Sequence, residues 1–532
     1  MSEVVTEGLG RFDVLVVGGG IAGTVAALSA AEQGAKVALA CSGPLFGGSS
    51  FFAGTWGLGL VGPVPGGEAD FERAILEVGQ GMAGPALVHA LVSGIEPGIE
   101  WLEGLGCRPR RARAATEREF IPCFDHAQRD WHGLEREAFR EAMGAALERS
   151  CVTAFPHMEL LAPGTFFDRS HGIVCGIDAK STVLATGGFG GLFERTLTTP
   201  ENLGAAQAIA LEQGASLVNC EFMQIMPGLV APVRDVVFNE KTFRFAHVDG
   251  VPGPGATALL DARSCHGPFT ASRPDREVDF AIAAAGDGGA RVTYHLPGEL
   301  PEFMRTYADW LRRDHGIEPG DELRVAHYAH AHNGGILIGA DAAVEGAPGI
   351  YACGECTGGM HGADRIGGLA SASALVFGRI AGREAAWCGA ERPTAARRPL
   401  RAMASPRAEA ALTGLRRAMS RACMVFRTEA GLRSALDSIY GARERISAEA
   451  EGSDDARAIA ATRRSELALE ASEALVCAMR ARAESRGAHY RADVPGPDAA
   501  QARPNALRFS PGADHGEASA FGSFAAAPVA LP

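Results

Sequence analysis

Residues 13–41 read DVLVVGGGIAGTVAALSAAEQGAKVALAC. The β-branched run over residues 13–17 ends in glycines, as a buried parallel strand does. Residues 21–33 have helical character, Gly34 stops the helix, and residues 36–41 (KVALAC) form a second strand. Together they make one βαβ unit. Gly18, Gly20 and Gly23 stand between strand and helix at GxGxxG spacing. The first permits the tight turn, the second lets backbone approach a pyrophosphate, and the third lets helix and strand pack. The helix N-terminus then stabilises the phosphate charge. The spacing alone is weak evidence, but inside a complete βαβ unit it predicts a dinucleotide site. The run from Val14 to Ala31 is uncharged, yet its glycines favour strand–turn–helix over a membrane span. No other stretch is long and apolar enough to cross a bilayer.

An acidic residue normally ends the second strand and holds the ribose hydroxyls. Cys41 takes that position here, followed by Ser42, which weakens a simple NAD reading.

The strand-then-glycine pattern returns twice. Residues 181–186 (STVLAT) lead into Gly187-Gly188-Phe189-Gly190-Gly191, and a helix is predicted over 204–214. Residues 350–357 (IYACGECT) run into a polar turn, and a helix is predicted over 369–387 after Gly367 and Gly368. Between these blocks, residues 223–325 are Pro/Gly-rich loops, mixed strands and charged turns, which read as an inserted domain. After Pro393 the composition shifts to Ala, Arg and Glu. Leu467, Ala471, Ala474, Leu475 and Ala478 fall at helical spacing, as do Leu415 with Met419 and Leu432 with Leu436 and Ile439. The predicted fold is therefore α/β. A Rossmann-type domain spans 1–222 and 326–392, an inserted α+β domain 223–325, and a C-terminal helical domain 393–510. A loosely ordered Gly/Ala/Pro-rich tail covers 511–532.

A chain of 532 residues, 47% hydrophobic and 21% charged, has the size of about three globular domains. Its net charge is −13 and no long basic stripe occurs, so nucleic-acid binding is not expected. The acidic start MSEVVTEGLGRFD lacks the apolar core of a signal peptide. Twelve scattered cysteines without export point to a reducing cytoplasm. Cys353-Gly-Glu-Cys356 is a CxxC with no second pair at zinc spacing, so no metal site is expected.

The stretch from Ser42 to Ala53 (SGPLFGGSSFFA), together with the blocks already quoted, resembles the flavoproteins of fumarate reductase, succinate dehydrogenase and L-aspartate oxidase. The layout is most similar to L-aspartate oxidase. The resemblance implies FAD, with a polar pair at Cys41 and Ser42 replacing the acid and paired hydroxyls at Ser49 and Ser50 touching it. Histidine is missing from 42–56, where covalent members attach flavin, so non-covalent FAD is implied. Ala185-Thr186-Gly187-Gly188 resembles the second FAD block. Gly354-Glu355 resembles the third, whose acid holds the FAD ribose. Glu484-Ser-Arg-Gly487-Ala-His489-Tyr-Arg491 resembles a signature of the C-terminal helical domain.

The same resemblance makes 223–325 a capping domain and implies a small carboxylic or amino acid substrate. Carboxylates call for charge-assisted, preferably bidentate donors. His330, four residues before Gly334-Gly335, resembles the histidine that binds a substrate carboxylate; His327 and His332 are close alternatives. Arg365, in His361-Gly-Ala-Asp-Arg365-Ile-Gly-Gly368, resembles the arginine clamping a second carboxylate. Arg276, with Arg273 in reserve, resembles the proton-shuttling arginine of the cap. Met226 stands where the family has a substrate-contacting histidine, and a thioether cannot donate to a carboxylate. The Arg-Gly-Glu-Gly block of the cap is absent near Asn239-Glu240-Lys241. The implied activity is hydride transfer between flavin and a carbon beside a carboxylate, as in L-aspartate oxidase, with the electron acceptor open. The alternatives are a fumarate reductase or succinate dehydrogenase-like subunit, and a flavoprotein with a diverged substrate. The first would need an iron–sulfur or haem partner, since no cluster motif or CxxCH occurs here.

Overall fold

The structure, a computed structural model, describes residues 4, 7–251, 253, 255–318, 320–388, 400–510 and 523–532. Strand Glu7–Val17, helix Ile21–Glu32 and strand Val37–Ala40 form the first βαβ unit. Val17 lies level with Ala40 on one side and with Leu184, at the end of strand Ile173–Leu184, on the other. Ile350–Ala352 pairs beyond, with Ala352 level with Leu184, and Val152–Phe155 lies outside Val37–Ala40. All these pairings are parallel. The register therefore sets Gly18, Cys41, Ala185 and Cys353 along one edge, at the carboxyl ends of the strands, where open α/β sheets bind ligands. Two antiparallel strands, Met158–Ala162 and Thr165–Asp168, complete the seven-stranded sheet.

Helix Ile21–Glu32 is apolar nearly all round because it is covered on both sides. Helix Leu369–Trp387 crosses it closely: a Cβ on Gly382 would lie 2.2 Å from the carbonyl oxygen of Ala26. That contact makes the expected helix over 369–387 a structural neighbour of the glycine-rich turn.

A second, antiparallel sheet has the order Val236–Val237, Met223–Ala231, Leu323–His332, Ala290–Tyr294, Ala246–Val248. Helices Ala256–Arg263, Arg276–Ala284 and Glu302–His315 accompany it. They enclose a separate core that includes Phe238, Phe243, Tyr307 and Tyr328. The expected cut at residue 325 falls inside strand Leu323–His332, so one continuous strand joins the two bodies on that side.

Helices Ala408–Ala422, Glu429–Ala448 and Ala456–Ala481 bury the expected stripes, Leu415 and Met419, Leu432, Leu436 and Ile439, and Leu467 to Ala478. These side chains share one hydrophobic core with the seven-stranded sheet. Residues 393–399 and 511–522, which include two expected boundaries, lie outside the described residues. The expectation of a loose tail does not hold from residue 523 on. Ser523–Pro528 pairs antiparallel with Asn505–Ser510 at the edge of a five-stranded sheet, and the Pro532 carbonyl accepts from Ala86 N at 3.2 Å. Backbone hydrogen bonds hold this segment, and composition does not register them. Among the described residues no helix is long and apolar enough to cross a membrane.

Candidate active site

The edge marked by Val17, Ala40, Leu184 and Ala352 opens into a cleft of about 1380 Å³, with the second sheet contributing part of its wall. Pockets for single small ligands are usually about 300–1,000 Å³. This one has room for a dinucleotide and a small acid together.

Two of the three fingerprint glycines are fixed by contact. A Cβ on Gly18 would lie 2.0 Å from the Ala185 carbonyl oxygen, and one on Gly23 would lie 1.8 Å from that of Gly18. Gly20 differs, since the nearest atom to an added Cβ is Ser50 Oγ at 3.4 Å. Its neighbourhood is open toward the cleft. Helix Ile21–Glu32 starts at Gly20 with no side-chain cap and no acid in its first turn. Helix Leu369–Trp387 starts the same way at Gly368, with Ala370 and Ser371 in the wall. Two helix N-termini thus bring uncompensated N–H groups to one cleft.

Cys41, Ser42, Ser49, Ser50, Ala185, Thr186, Gly187, Gly354 and Glu355 also line the cleft, whereas Gly23 and Gly188 stand behind it. A Cβ on Gly188 would meet Glu355 Oε1 at 2.6 Å, so this glycine makes room for the carboxylate. Ser49 Oγ donates to Glu355 Oε2 at 3.2 Å and accepts from Asn202 Nδ2 at 2.9 Å. Burial raises the Glu355 carboxyl above its usual range and pushes the Cys41 thiol up to about 11. Thr186 Oγ1 is buried without a partner. Uncapped helix amides for a pyrophosphate, an acid and hydroxyls for sugar oxygens, and an orphan hydroxyl fit FAD.

Strand pairing explains why one histidine of three faces the cleft with a free nitrogen. Gln224 pairs with Ala331 and Ile225 with Ala329, so His330 is the extra residue of a bulge. Bulges re-aim side chains in this way. His327 Nε2 is taken by Asp279 at 3.1 Å, and His332 by the Cys220 carbonyl at 2.9 Å and Gly334 N at 3.1 Å. His330 lines the cleft and its Nδ1 has no partner. Burial, helped by the Arg365 charge, pulls its imidazole down to about 4, so it is neutral near pH 7. Arg365 also lines the cleft and donates from Nη2 to Gln224 Oε1 at 2.6 Å. Burial lowers its guanidinium to about 10, with the Glu355 carboxylate opposing, so it stays charged.

The structure does not bring Arg276 to this cleft. It starts helix Arg276–Ala284, donates to the Ala271 carbonyl at 2.7 Å, and lies over the rings of Phe280 and Tyr490. Arg273 lies over the Phe124 ring and is also absent from the wall. The start of the helix turns Arg276 toward Tyr490 of the C-terminal region, which the Arg-Asp spacing does not reveal.

Sequence reasoning singled out neither His361, Lys241 nor Arg136, and all three line the cleft. His361 has a free Nδ1, and burial drives its imidazole well below its usual range. Arg136 clamps the loop of Ser49 and Ser50 through the Ser50 and Thr55 carbonyls, at 3.0 and 2.8 Å. Met226 lines the same wall. None of the three additional residues belongs to a spacing that sequence alone can flag. Among the described residues no cluster of His, Cys, Asp or Glu is arranged to hold a metal ion.

Residues 13–370 match the family described as FAD binding domain, and residues 413–514 match the family described as Fumarate reductase flavoprotein C-term. The chain is 30% identical to an L-aspartate oxidase of Caulobacter vibrioides over 91% of its length and 94% of that protein. Among solved structures it resembles E. coli quinol fumarate reductase FrdA, with TM-score 0.79 at 19% identity, covering 99% of this chain and 98% of that one. It likewise resembles Mycobacterium smegmatis Sdh1, with TM-score 0.78 at 23% identity, covering 98% and 94%.

Proposed function

The chain belongs to the FAD-dependent oxidoreductases of the L-aspartate oxidase and fumarate reductase type, and we propose that its substrate is a small amino or carboxylic acid oxidised beside a carboxylate. The observation that carries this reading is Arg365, a half-buried, charged guanidinium in the cleft wall beside the neutral His330. FAD, when bound, supplies a two-electron acceptor for the hydride leaving the substrate carbon. Arg365 holds a carboxylate by charge-assisted hydrogen bonds and fixes the orientation of that carbon. His330 contributes a ring nitrogen that donates to the acid or takes a proton at Nδ1. His361 offers a second neutral imidazole. The body of residues 223–325 acts as the cap, contributing Met226, Asn239, Glu240, Lys241, Gly267 and Pro268 to the wall and excluding water when closed.

The relatives named L-aspartate oxidase favour an amino acid as substrate. FAD is held non-covalently in this reading, and the electron acceptor is oxygen or another small oxidant. A cytoplasmic location is supported by the cysteines, all twelve of which are free thiols. The test is product analysis: purified FAD-loaded protein is incubated with a panel of amino and carboxylic acids, and oxo acid, ammonia and peroxide are measured. Formation of an oxo acid with ammonia from one amino acid supports the reading. No product from any acid, in air or with an artificial acceptor, removes it.

A further inference from the structure

The segment 484–491 stands behind the cleft, and none of its residues lines the wall. It nonetheless braces the loop that carries Arg365. Ala488 N donates to the Ala363 carbonyl at 3.0 Å, two residues before Arg365. A Cβ on Gly487, whose φ is +50°, would lie 2.5 Å from the same oxygen, so a side chain there would hold the segment off the loop. Gly487 also meets the cap. Its carbonyl accepts from Ala271 N at 2.7 Å, and its N–H donates to Ser272 Oγ at 2.9 Å.

Just ahead of this segment, Arg482 follows helix Ala456–Ala481 and is fully buried. Its Nε donates to Glu221 Oε1, Nη1 to Glu484 Oε1 at 2.9 Å, and Nη2 to the Arg503 carbonyl at 3.0 Å. The guanidinium lies over the Phe222 ring. Arg427 donates from Nη1 to the Glu221 carbonyl at 2.7 Å and to His489 Nδ1 at 2.7 Å. His489 Nε2 in turn donates to the Arg482 carbonyl at 3.0 Å, since a guanidinium can only donate and a carbonyl only accept. Glu221 and Phe222 lead directly into strand Met223–Ala231, whose Gln224 accepts from Arg365. The Phe222 carbonyl accepts from Asn333 N at 3.2 Å, which ties the same stretch to the end of the strand bearing His330. Two arginines of the C-terminal helical unit thus grip, from behind, the residues that lead to Gln224.

We propose that Arg482 is a positioning residue for the reaction: through Glu221 it holds the head of strand Met223–Ala231 where Gln224 meets Arg365, so that the C-terminal helical unit sets the geometry of the acid clamp. This rests on the reading above that Arg365 holds a substrate carboxylate. A network that only fastened the C-terminal helices to the sheet would have a different signature. Loss of Arg482 would then act on the reaction equally with and without Gln224, and the test uses that difference.

FAD-loaded parent, Arg482→Gln, Arg482→Lys, Gln224→Ala and the double variant Arg482→Gln with Gln224→Ala are compared by melting curve, flavin content and anaerobic stopped-flow reduction. The acid is L-aspartate, or the acid of the panel above that reduces the parent fastest. The second-order rate constant of reduction should fall on the order of 10-fold in Arg482→Gln at unchanged flavin content, and Arg482→Lys should recover part of the loss. In the Gln224→Ala background, Arg482→Gln should change the constant less than about twofold. An equal loss in both backgrounds, no loss in either, or a loss matched by missing flavin overturns the inference and leaves the reading of a carboxylate site standing. A parent that no acid reduces removes that reading, and the role of Arg482 with it. If Arg482→Gln does not fold, Arg482→Lys is carried through the same cycle, and the absence of a loss that depends on Gln224 overturns the inference.

Discussion

Arg365 Nη2 donates to Gln224 Oε1 at 2.6 Å. Gln224 comes from strand Met223–Ala231 of the second sheet, and Arg365 from the loop ahead of helix Leu369–Trp387 on the dinucleotide side. The bond fixes the guanidinium across the join between the two bodies and leaves its other N–H groups for a ligand. Arg365→Ala should retain FAD and fold, yet lose substrate-driven flavin reduction. Removing one partner of a buried charge pair typically costs about 2–5 kcal/mol, on the order of 10²–10³-fold or more. Stopped-flow reduction of the variant checks this, and a rate equal to the parent's contradicts the assignment.

Gly20 and Gly23 should separate folding from cofactor binding. A Cβ on Gly23 would collide with the Gly18 backbone at 1.8 Å, whereas one on Gly20 meets only Ser50 Oγ at 3.4 Å. Gly23→Ala is expected to lower the melting temperature of the apoprotein sharply. Gly20→Ala should leave that temperature nearly unchanged while flavin content per chain falls, because its methyl group would intrude on the proposed pyrophosphate position. Circular dichroism melts and flavin absorbance read the two outcomes.

His330 sets a pH limb. Its imidazole lies at about 4 instead of the ordinary histidine range, chiefly through burial. It is neutral across physiological pH and gains charge only as the pH falls toward 4. The rate of flavin reduction should show no inflection between pH 6 and 7 from this residue, and should drop on the order of 10²-fold in His330→Ala. An inflection near 6.5 that disappears in His330→Asn would contradict the neutral assignment.

Asp364 supplies a stability prediction with a definite sign. Burial pushes its carboxyl up to about 8, although Thr270 Oγ1 donates to it at 2.8 Å, Gln80 Nε2 donates at 3.1 Å, and the Arg273 charge opposes the shift. Between the unfolded value near 4 and the folded value near 8, the native state holds the extra proton. Stability from this group is therefore lost as pH rises through that window, by about 1.4 kcal/mol per pKa unit at the limit. Asp364→Asn should gain in melting temperature relative to the parent from pH 5 to 8 and level off above it. A difference independent of pH would contradict the assignment.

Legibility in the sequence followed the range of the physics. Gly18, Gly20 and Gly23 could be read because a phosphate-binding turn needs small residues at fixed local spacing. The helix over 369–387 and the stripes of the C-terminal helices could be read because burial on one face leaves a period. Arg365 stood out by its glycine-rich flanks. His330 could be only one of three histidines until the bulge opposite Gln224 and Ile225 was known, and bulges leave no mark in composition. Arg276 matched a motif, but its helix turns the side chain toward Phe280 and Tyr490. Lys241, Arg136 and His361 reach the cleft by tertiary placement alone, and the strand Ser523–Pro528 is held by backbone pairing in a segment too rich in alanine to show alternation.

Non-covalent attachment has a simple check. The wall segment from Cys41 to Gly59 contains no histidine, so acid precipitation should release all of the FAD into the supernatant. Flavin remaining with the pellet after washing in denaturant would show a covalent link.

In the proposed site, Gly20 and the helix behind it seat FAD where Arg365 can present an acid to it. Anaerobic titration of the yellow protein with L-aspartate and a panel of related acids tests this most directly. Stoichiometric loss of flavin absorbance is expected with at least one acid, and no such loss is expected in Arg365→Ala. A protein that stays colourless after incubation with FAD, or whose bound flavin no acid bleaches, would contradict it.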